Sequence, residues 1–225
     1  MKTMNLFNKL CLGLFLLIPS LLTAQISEIQ IGLEGGGGIR SLYGNRYLAE
    51  TGKLGLGHTV GVFGQFSLSD RFALRTSVSF ERKGFSQKGK IVDPLGVLIG
   101  EVQDFQNLDY LTLPIMGRFT FGESVQFFFN TGPYLGALLK YEQITKVTGQ
   151  AEFNFQFTDQ FNRLDLGWAT GIGMQIPIGT NLMISTELRN HLGLLNISSV
   201  PVIDDKSIKT LSSYLLVGLG YRFTR

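Results

Sequence analysis

Apolar and polar residues alternate along most of the chain, and the alternation recurs in eight segments separated by polar or glycine-rich stretches. In the last segment Leu215, Val217 and Leu219 fall on one face, while Gly218 and Gly220 fall on the other. A period of two residues places alternate side chains on opposite faces of a β-strand, so each segment predicts one strand. The eight predicted strands are Glu28–Gly38, His58–Ser69, Phe72–Arg82, Tyr110–Phe121, Val125–Lys140, Arg163–Pro177, Asn181–Leu192 and Leu215–Thr224.

The connections between these segments alternate between short and long. Short turns are expected at 69–70, 122–124 and 178–180, and long loops at 41–57, 84–109, 141–162 and 193–209. Short periplasmic turns and long outer loops are typical of barrels in the bacterial outer membrane. Each segment also supplies about the 9–11 residues that a tilted strand needs to cross a bilayer. The pattern therefore predicts an all-β fold, an eight-stranded antiparallel up-and-down transmembrane β-barrel in the cell outer membrane.

The distribution of charge between the two faces supports a membrane barrel over a soluble one. In a soluble barrel the charged face would meet water and the apolar face would form the core. Here the apolar face is continuous, mostly aliphatic, and ends in aromatic residues beside the short turns, which indicates contact with lipid. The aromatic residues expected to form a periplasmic girdle are Phe66, Phe72, Phe119, Phe121, Phe127, Tyr221 and Phe223.

The N-terminal segment has the organisation of a secretory signal peptide. Two lysines lie in the first nine residues, an apolar run follows at 10–22, and Ala24 is the expected last residue removed. The apolar run is too short for a spanning helix, which needs about 20 residues. We therefore expect a signal peptide at 1–24 and an outer-membrane β-barrel domain at 25–225. Cys11 is the only cysteine, so the exported chain would have no disulfide and no thiol chemistry.

The charge balance argues against a nucleic-acid ligand. Removing Lys2 and Lys9 from the 20 basic residues leaves 18 against 17 acidic residues, a formal net charge of +1. A nucleic-acid-binding surface would require a clustered basic patch. The partners that we expect are outer-membrane lipid and an extracellular or periplasmic protein, and we expect the chain to be a monomer.

Seven short stretches of the chain resemble the PorT-like family of outer-membrane β-barrels from Bacteroidetes, which are Gram-negative bacteria. They are Tyr110–Ile115, Asn130–Gly136, Asp165–Gly167, Thr170–Gly173, Glu187–Arg189, Leu192–Asn196 and Gly218–Phe223. The resemblance covers nearly the whole exported chain. It implies a β-barrel of the outer membrane and, for one branch of the family, a link to protein secretion across that membrane.

Seven charged residues have the parity of the interior face: Arg75, Glu81, Arg118, Asp165, Glu187, Arg189 and Arg222. An eight-stranded barrel is just wide enough to be filled by its own side chains. Because unpaired buried charge is costly, we expect these residues to form a paired polar network. The alternative is a lumen that conducts ions or binds a ligand, as in a narrow porin-like channel.

Glycines make the predicted interior uneven. Gly32, Gly36, Gly218 and Gly220 have inward parity on the first and last strands, whereas bulky inward residues lie on the third to fifth strands. Two arrangements are open at this stage: the large side chains reach across to the bare wall, or a narrow off-centre slot remains.

The sequence offers few residues for catalysis. Its two histidines, His58 and His191, are both expected near the outer rim, where some outer-membrane barrels carry hydrolase sites. His191 is expected to belong to the interior polar network and His58 to face lipid. The stretch 84–91 lacks the Ser or Thr and the helix of a phosphate-binding loop. We therefore predict no catalytic, cofactor-binding or metal-binding residues, and a rim hydrolase is the weakest functional hypothesis.

The outer loops carry apolar residues that suit a partner surface: Leu95, Val97, Ile99, Phe153, Phe155 and Phe157. Exposed apolar patches often mark sites of protein interaction. The alternative is that the strands extend above the membrane and the loops pack on one another. The favoured hypothesis is a structural or partner-binding barrel. A narrow channel or ligand-binding barrel, and a component of protein secretion, are its alternatives.

Overall fold

The computed structural model describes residues 28–45, 53–92, 94–149, 151–202 and 207–224. The predicted signal peptide lies outside the described residues. The strands are β1 Glu28–Tyr43, β2 Gly55–Ser67, β3 Phe72–Val92, β4 Leu98–Phe121, β5 Gln126–Val147, β6 Phe153–Gln156, β7 Leu164–Ile178, β8 Leu182–Gly193 and β9 Lys209–Thr224. A 3-10 turn, Thr158–Gln160, follows β6. Within the described ranges, no helix has both the length and the apolar character needed to cross a membrane.

Antiparallel pairing closes the sheet into a ring. The order of neighbours is β4-β3-β2-β1-β9-β8-β7-β5, and an additional pairing joins β4 to β5. The first and last strands pair over their full length, from Glu28 opposite Thr224 to Tyr43 opposite Lys209. Among the described residues eight strands form the ring, and β6 pairs only with β5 outside it. The predicted eight-stranded antiparallel barrel is confirmed.

The wall of the barrel separates an apolar outer face from a polar inner face. On β9, Val217 is 61% exposed, whereas the adjacent Leu216 is 3% exposed. The same alternation runs along every strand of the ring, because successive side chains of a strand point to opposite faces. Such a broad apolar exterior is not stable in water. It fits a surrounding lipid phase.

The seven residues of the expected girdle lie at the short-turn end of the strands. Phe72 on β3 stands opposite Phe119 on β4, with ring centroids 5.0 Å apart. Phe121 and Phe127, opposite each other across the next turn, have centroids 5.8 Å apart. Tyr221 and Phe223 are in edge contact at 4.8 Å, and Phe66 is partly exposed on β2. Cross-strand aromatic pairs of this kind add to the stability of the sheet.

Two of the predicted long loops are wrong, because the strands continue through them. The segment 84–109 is a hairpin in which β3 and β4 stay paired from Lys83 opposite Leu108 to Val92 opposite Leu98. Within 141–162, β5 continues to Val147, and β6 pairs with β5 from Glu142 to Thr145. The alternation fades there because both faces of the extension lie beyond the apolar belt, where polar and apolar residues are tolerated alike. We call this part of the chain the outer sheet. It consists of β3 from Lys83 onward, β4 up to Asp109, β5 from Lys140 onward and β6, together with the β3–β4 hairpin tip and Phe157.

A β-bulge marks the boundary between the barrel wall and the outer sheet. Asp109 on β4 is opposite Lys140, but the next residue, Tyr110, is opposite Leu138. Leu139 is therefore an extra residue on β5 that lacks a direct partner on β4. A bulge of this kind bends the strand and resets which side chains point inward. Beyond it, Tyr141 is buried although its odd number would otherwise place it outside.

The outward face of β9 provides a test of the membrane assignment. Val217→Arg should destabilise the folded barrel in lipid by about 2–4 kcal/mol, because a charge on the lipid face near the bilayer centre is costly. Leu95→Arg, an equally drastic change at an exposed position of the outer sheet, should leave stability nearly unchanged. Unfolding in urea, followed by the heat-modifiable mobility of the barrel in gels, measures both. Equal losses for the two variants would contradict the assignment.

Candidate functional site

The most unusual part of the molecule is its interior, which in the described residues holds nine charged side chains that are almost completely buried. Of the predicted interior residues, the structure places Arg75, Glu81, Arg118, Asp165, Glu187 and Arg189 in the lumen at 3% exposure or less. Arg222 lies lower, at the short-turn mouth, with its Nε 3.0 Å from Glu28 Oε1. Three further buried charges, Glu34, Arg40 and Lys83, complete this set. All except Arg40, which lies nearer the long loops, form two groups along the barrel axis.

The group nearer the short turns, which we call the turn-side cluster, consists of Glu34, Arg75, Arg118, Glu187 and Arg189. Arg189 bridges both carboxylates: its Nη1 lies 2.6 Å from Glu34 Oε1 and its Nη2 lies 2.7 Å from Glu187 Oε2. Arg75 Nη2 donates to Glu34 Oε2 at 2.6 Å. Glu34 thus binds two guanidinium groups that come from opposite sides of the ring. Charge-assisted bonds of this length are the strong kind.

The third guanidinium of the turn-side cluster, Arg118, is held mainly by amides. Its Nε donates to Asn130 Oδ1 at 2.8 Å. Its Nη1 donates to Gln65 Oε1 at 2.7 Å and to Gln175 Oε1 at 3.0 Å. The nearest carboxylate oxygen, Glu187 Oε2, is 4.0 Å from its Nη2. Arg118 therefore lacks the short carboxylate contact that Arg75 and Arg189 have.

The group nearer the long loops, which we call the loop-side cluster, consists of Glu81, Lys83, Tyr134, Asp165 and His191. Lys83 Nζ lies 2.9 Å from Asp165 Oδ2, and Tyr134 donates to the same oxygen at 3.0 Å. Glu81 accepts a bond from Ser212 Oγ at 2.6 Å, and its other oxygen lies 2.9 Å from His191 Nδ1. The His191 ring stacks on Tyr134 with centroids 4.9 Å apart. Every charge in this cluster has a partner of opposite sign or a strong hydrogen bond.

Glu34 and Lys83 were missed as network residues at the sequence level, although both had a usable signal. Glu34 has the inward parity of its predicted strand. Lys83 lies one residue beyond the predicted end of β3, and continuing the alternation would have placed it inside. Arg40 was missed as well: it is buried on β1 and donates to the carbonyl oxygens of Leu56 at 2.8 Å and Gln106 at 2.9 Å.

The inward glycines are covered by aromatic rings on the neighbouring strand. Gly32 is directly opposite Phe63, Gly173 is opposite Phe128, and Gly167 is opposite Tyr134. A Cβ atom at any of the three glycines would lie only 2.5–2.6 Å from an atom of the covering ring. The large side chains therefore lean sideways onto the adjacent strand rather than reaching across the lumen. No bare glycine wall remains at these three positions.

Each of these three rings in turn supports a cation. The guanidinium carbon of Arg75 lies 3.7 Å from the Phe63 centroid, and that of Arg118 lies 3.6 Å from the Phe128 centroid. Lys83 Nζ lies 4.3 Å from the Tyr134 centroid. A cation above an aromatic face is attracted by the ring quadrupole, and more strongly when water is excluded. The repeated order glycine, ring, cation fills the lumen from the wall toward the axis.

An apolar cluster closes the lumen above the loop-side cluster. It is formed by Leu42, Phe85, Leu108, Tyr110, Leu138, Tyr141 and Ile197, with Phe161 and Ile208 packed against it. These residues come from four strands and from two of the outer segments. Burial raises the pKa of Tyr141 to about 12. The Tyr141 hydroxyl donates a hydrogen bond to Gln106 Oε1 at 3.2 Å. We call this group the outer cap.

The opposite end of the lumen opens into a polar recess of about 230 Å³ at the short turns. Gln65, Gln126 and Gln175 line its inner end, and Glu28, Asp70, Arg71 and Arg222 supply its charges. Gln65 and Gln175 are also the residues that hold Arg118. Water at this mouth is thus separated from the turn-side cluster by a single layer of amide side chains.

The two histidines occupy different environments: His191 is paired with Glu81 in the lumen, and His58 lies on the outer face of the wall. His58 faces outward and stacks on Phe80 with centroids 5.9 Å apart. The Ser212 hydroxyl is hydrogen-bonded to the Glu81–His191 pair, and it donates to Glu81 rather than to the His191 imidazole. In the described part of the chain, no group of three or more His, Cys, Asp or Glu residues is arranged to hold a metal ion.

The residues of the expected partner surface are exposed on the outer sheet. Leu95 is 88% exposed at the tip of the β3–β4 hairpin, with Val97 and Ile99 beside it. Phe153 and Phe155 lie on β6 and Phe157 follows, and the rings of Phe155 and Phe157 are stacked with centroids 6.0 Å apart. Nearby, hydrogen bonds from Lys140 and Asn154 lower the pKa of Glu142 and keep it charged.

Comparison with known proteins agrees with this architecture. A family model described as outer membrane protein beta-barrel domain matches residues 23–199, which include β1 to β8. No curated protein sequence matches the chain. Solved structures similar to the chain include Neisserial surface protein A, at 12% identity and a TM-score of 0.46, with 87% of this chain and 97% of that chain covered.

Two further similar structures come from other bacteria. The outer membrane protein OprG from Pseudomonas aeruginosa is 10% identical with a TM-score of 0.46, and 89% of this chain and 97% of that chain are covered. Ail, the attachment invasion locus protein of Yersinia pestis, is 15% identical with a TM-score of 0.41, and the coverage is 86% and 98%.

The shared carboxylate of the turn-side cluster can be tested by Glu34→Gln. Removing one partner of a buried ion pair leaves uncompensated charge, so we expect a loss of about 3–5 kcal/mol in the free energy of unfolding. The matched control is Glu28→Gln, whose pair with Arg222 is partly exposed and should contribute about 1 kcal/mol or less. Urea unfolding in lipid vesicles, followed by the fluorescence of the single tryptophan, Trp168, measures both. Similar losses would contradict the importance of the buried pair.

Proposed function

Because the chain belongs to the outer membrane protein beta-barrel domain family, we propose that it is a closed outer-membrane barrel whose outer sheet binds a macromolecular partner outside the membrane. The observation that carries this proposal is the combination of a filled lumen with a paired, partly apolar sheet that extends beyond the membrane. The barrel anchors and orients this sheet, and the sheet provides the surface.

The state of the lumen argues against general transport. Four carboxylates and four cations form its two charged clusters, Arg40 is buried nearer the long loops, and the outer cap closes that end. A solute of sugar size would have to displace both layers. Eight strands enclose little more than side-chain volume in any case.

The outer sheet has features of a binding surface. Leu95, Val97 and Ile99 form an apolar tip, and Phe153 and Phe155 line β6. β6 has the sequence Phe-Asn-Phe-Gln without a charged residue and pairs only with β5 among the described strands. Proteins usually protect such edges with charges or proline. An uncharged edge supports recognition by strand addition, in which a partner segment pairs with the exposed backbone.

The resemblance to the PorT-like family offers one specific form of this proposal. A barrel linked to secretion would engage another component of that process or its cargo at the outer sheet or at the periplasmic turns. The same experiment tests this form, because the captured partner identifies the process.

A narrow ion channel is the second candidate. The polar recess favours it, because it brings water within one amide layer of Arg118. In this case the outer cap would have to move for ions to pass.

Photo-crosslinking in intact cells tests the binding surface. A benzophenone amino acid placed at Leu95 or Phe155 should yield a discrete crosslinked product, since both side chains are exposed on the outer sheet. The same probe at Val60, which is exposed on the lipid face, serves as the control and should not give that product. Absence of a product from both outer positions, or the same product from Val60, would overturn the proposal.

Conductance measurements test the closed lumen. In planar bilayers we expect silence or a small ion conductance, with an increase for Arg118→Ala because that change removes the side chain that joins Gln65, Asn130 and Gln175. Arg71→Ala, at the exposed rim of the recess, is the control and should not raise the conductance. Swelling of protein-containing liposomes in disaccharide solutions would show an open lumen and would favour transport.

A further inference from the structure

The turn-side cluster contains one more cation than anion. Arg75, Arg118 and Arg189 face Glu34 and Glu187, and all five side chains are at most 5% exposed. Arg75 and Arg189 use the available carboxylate oxygens at 2.6–3.0 Å. Arg118 is left with neutral amide acceptors and a carboxylate oxygen at 4.0 Å. Buried charge that lacks a close counter-charge is costly, so this position favours an additional anion.

Hydrogen bonding adds a second observation at Arg118. Among the described residues, buried donors without an acceptor occur in the turn-side cluster at Arg118 Nη2 and Arg75 Nε, and outside it at Tyr110, His191 and Arg222. Both guanidinium groups also donate to one atom, Gln65 Oε1, at 2.7 Å from Arg118 and 3.4 Å from Arg75. Buried N–H donors in proteins are nearly always paired, and an ion is one of the groups that accounts for exceptions. Arg118 therefore combines an unpaired donor with the charge that lacks a close carboxylate.

The loop-side cluster does not remove this imbalance. It holds Glu81 and Asp165 with Lys83, and their short contacts are within this cluster or to the hydroxyls of Thr210 and Ser212, not to the turn-side cluster. Its excess negative charge therefore offsets the turn-side excess at long range but supplies no acceptor for Arg118. A local acceptor must come from elsewhere.

The recess provides a route for such an acceptor. It opens at the short turns, and its inner end is formed by Gln65 and Gln175, the amides bonded to Arg118. The rim carries both signs: Glu28 is paired with Arg222, and Asp70 and Arg71 are exposed on the turn. A small ion can pass this mixed rim, whereas the narrow interior excludes larger solutes.

We propose that the barrel binds a small monovalent inorganic anion at Arg118, with Nη2 as the primary donor, and that the ion enters from the recess. Chloride is the probe of suitable size and charge. The ion neutralises the third guanidinium and completes the turn-side cluster. This inference is independent of the outer-sheet partner, because it concerns only the lumen.

Thermal unfolding of the folded full-length barrel in detergent tests the site. Sodium gluconate is replaced stepwise by sodium chloride at constant ionic strength and pH, so that screening is unchanged. We expect the midpoint to rise by about 3 °C once chloride reaches about ten times its dissociation constant, and then to level off. An identical midpoint in gluconate and chloride would overturn the proposal.

Variants locate the effect within the cluster. Arg118→Gln removes the excess charge and the unpaired Nη2 donor, so its midpoint should no longer depend on chloride. Arg71→Gln removes a cation from the rim but leaves the cluster intact, so it should keep the wild-type dependence. A chloride effect that persists in Arg118→Gln, or is lost in Arg71→Gln, would place the ion elsewhere and overturn the assignment.

A crystallographic measurement on the unmodified protein keeps the test independent of variant folding. Crystals soaked in sodium bromide should show an anomalous peak in contact with Arg118 Nη2. A peak confined to the rim or the protein surface, or no peak at all, would overturn the proposed site.

Discussion

Every backbone N–H and C=O group inside a bilayer must be paired within the protein, and in this chain the pairing of β1 with β9 and of β4 with β5 meets that requirement. Closure has a second consequence, because a ring of eight strands encloses only enough space for side chains. The outward face must be apolar to match lipid. The inward face is therefore the place where the chain can bury its polar and charged groups, and it must do so compactly.

The interior meets that demand by combining three kinds of residue. Glycine on one strand leaves room for an aromatic ring on the next, and the ring supports a cation that reaches the axis, as in Gly32, Phe63 and Arg75. The cation then bonds a carboxylate or amide from another part of the wall. Neither the ring nor the charge would fit without the glycine. Buried charge, usually a weak contributor to stability, here also ties strands on different sides of the ring to one another.

The sequence predicted the wall of the barrel well and its interior contacts poorly. Alternation assigns a face to each residue, so Arg75, Arg118 and Arg189 could be placed inside from local pattern alone. Their partners could not, because Arg189 bonds Glu34 across 155 residues and Ser212 bonds Glu81 across 131. Strand tilt and stagger decide such contacts, and neither leaves a local signal. The extension of strands above the membrane was foreseen, but the bounds of the outer sheet were not, because outside the lipid a strand has no need of a continuous apolar face.

The bulge at Leu139 has a consequence for how the chain can change over evolutionary time. Within the membrane-spanning part, inserting one residue would turn every following side chain to the wrong face, exchanging lumen for lipid. The bulge has already absorbed one such extra residue at the top of the wall. Above that point, the length and composition of β3 to β6 can drift without changing the register below. The molecule therefore consists of a part whose register is fixed by the bilayer and a part on the side of the long loops whose length is not fixed in this way.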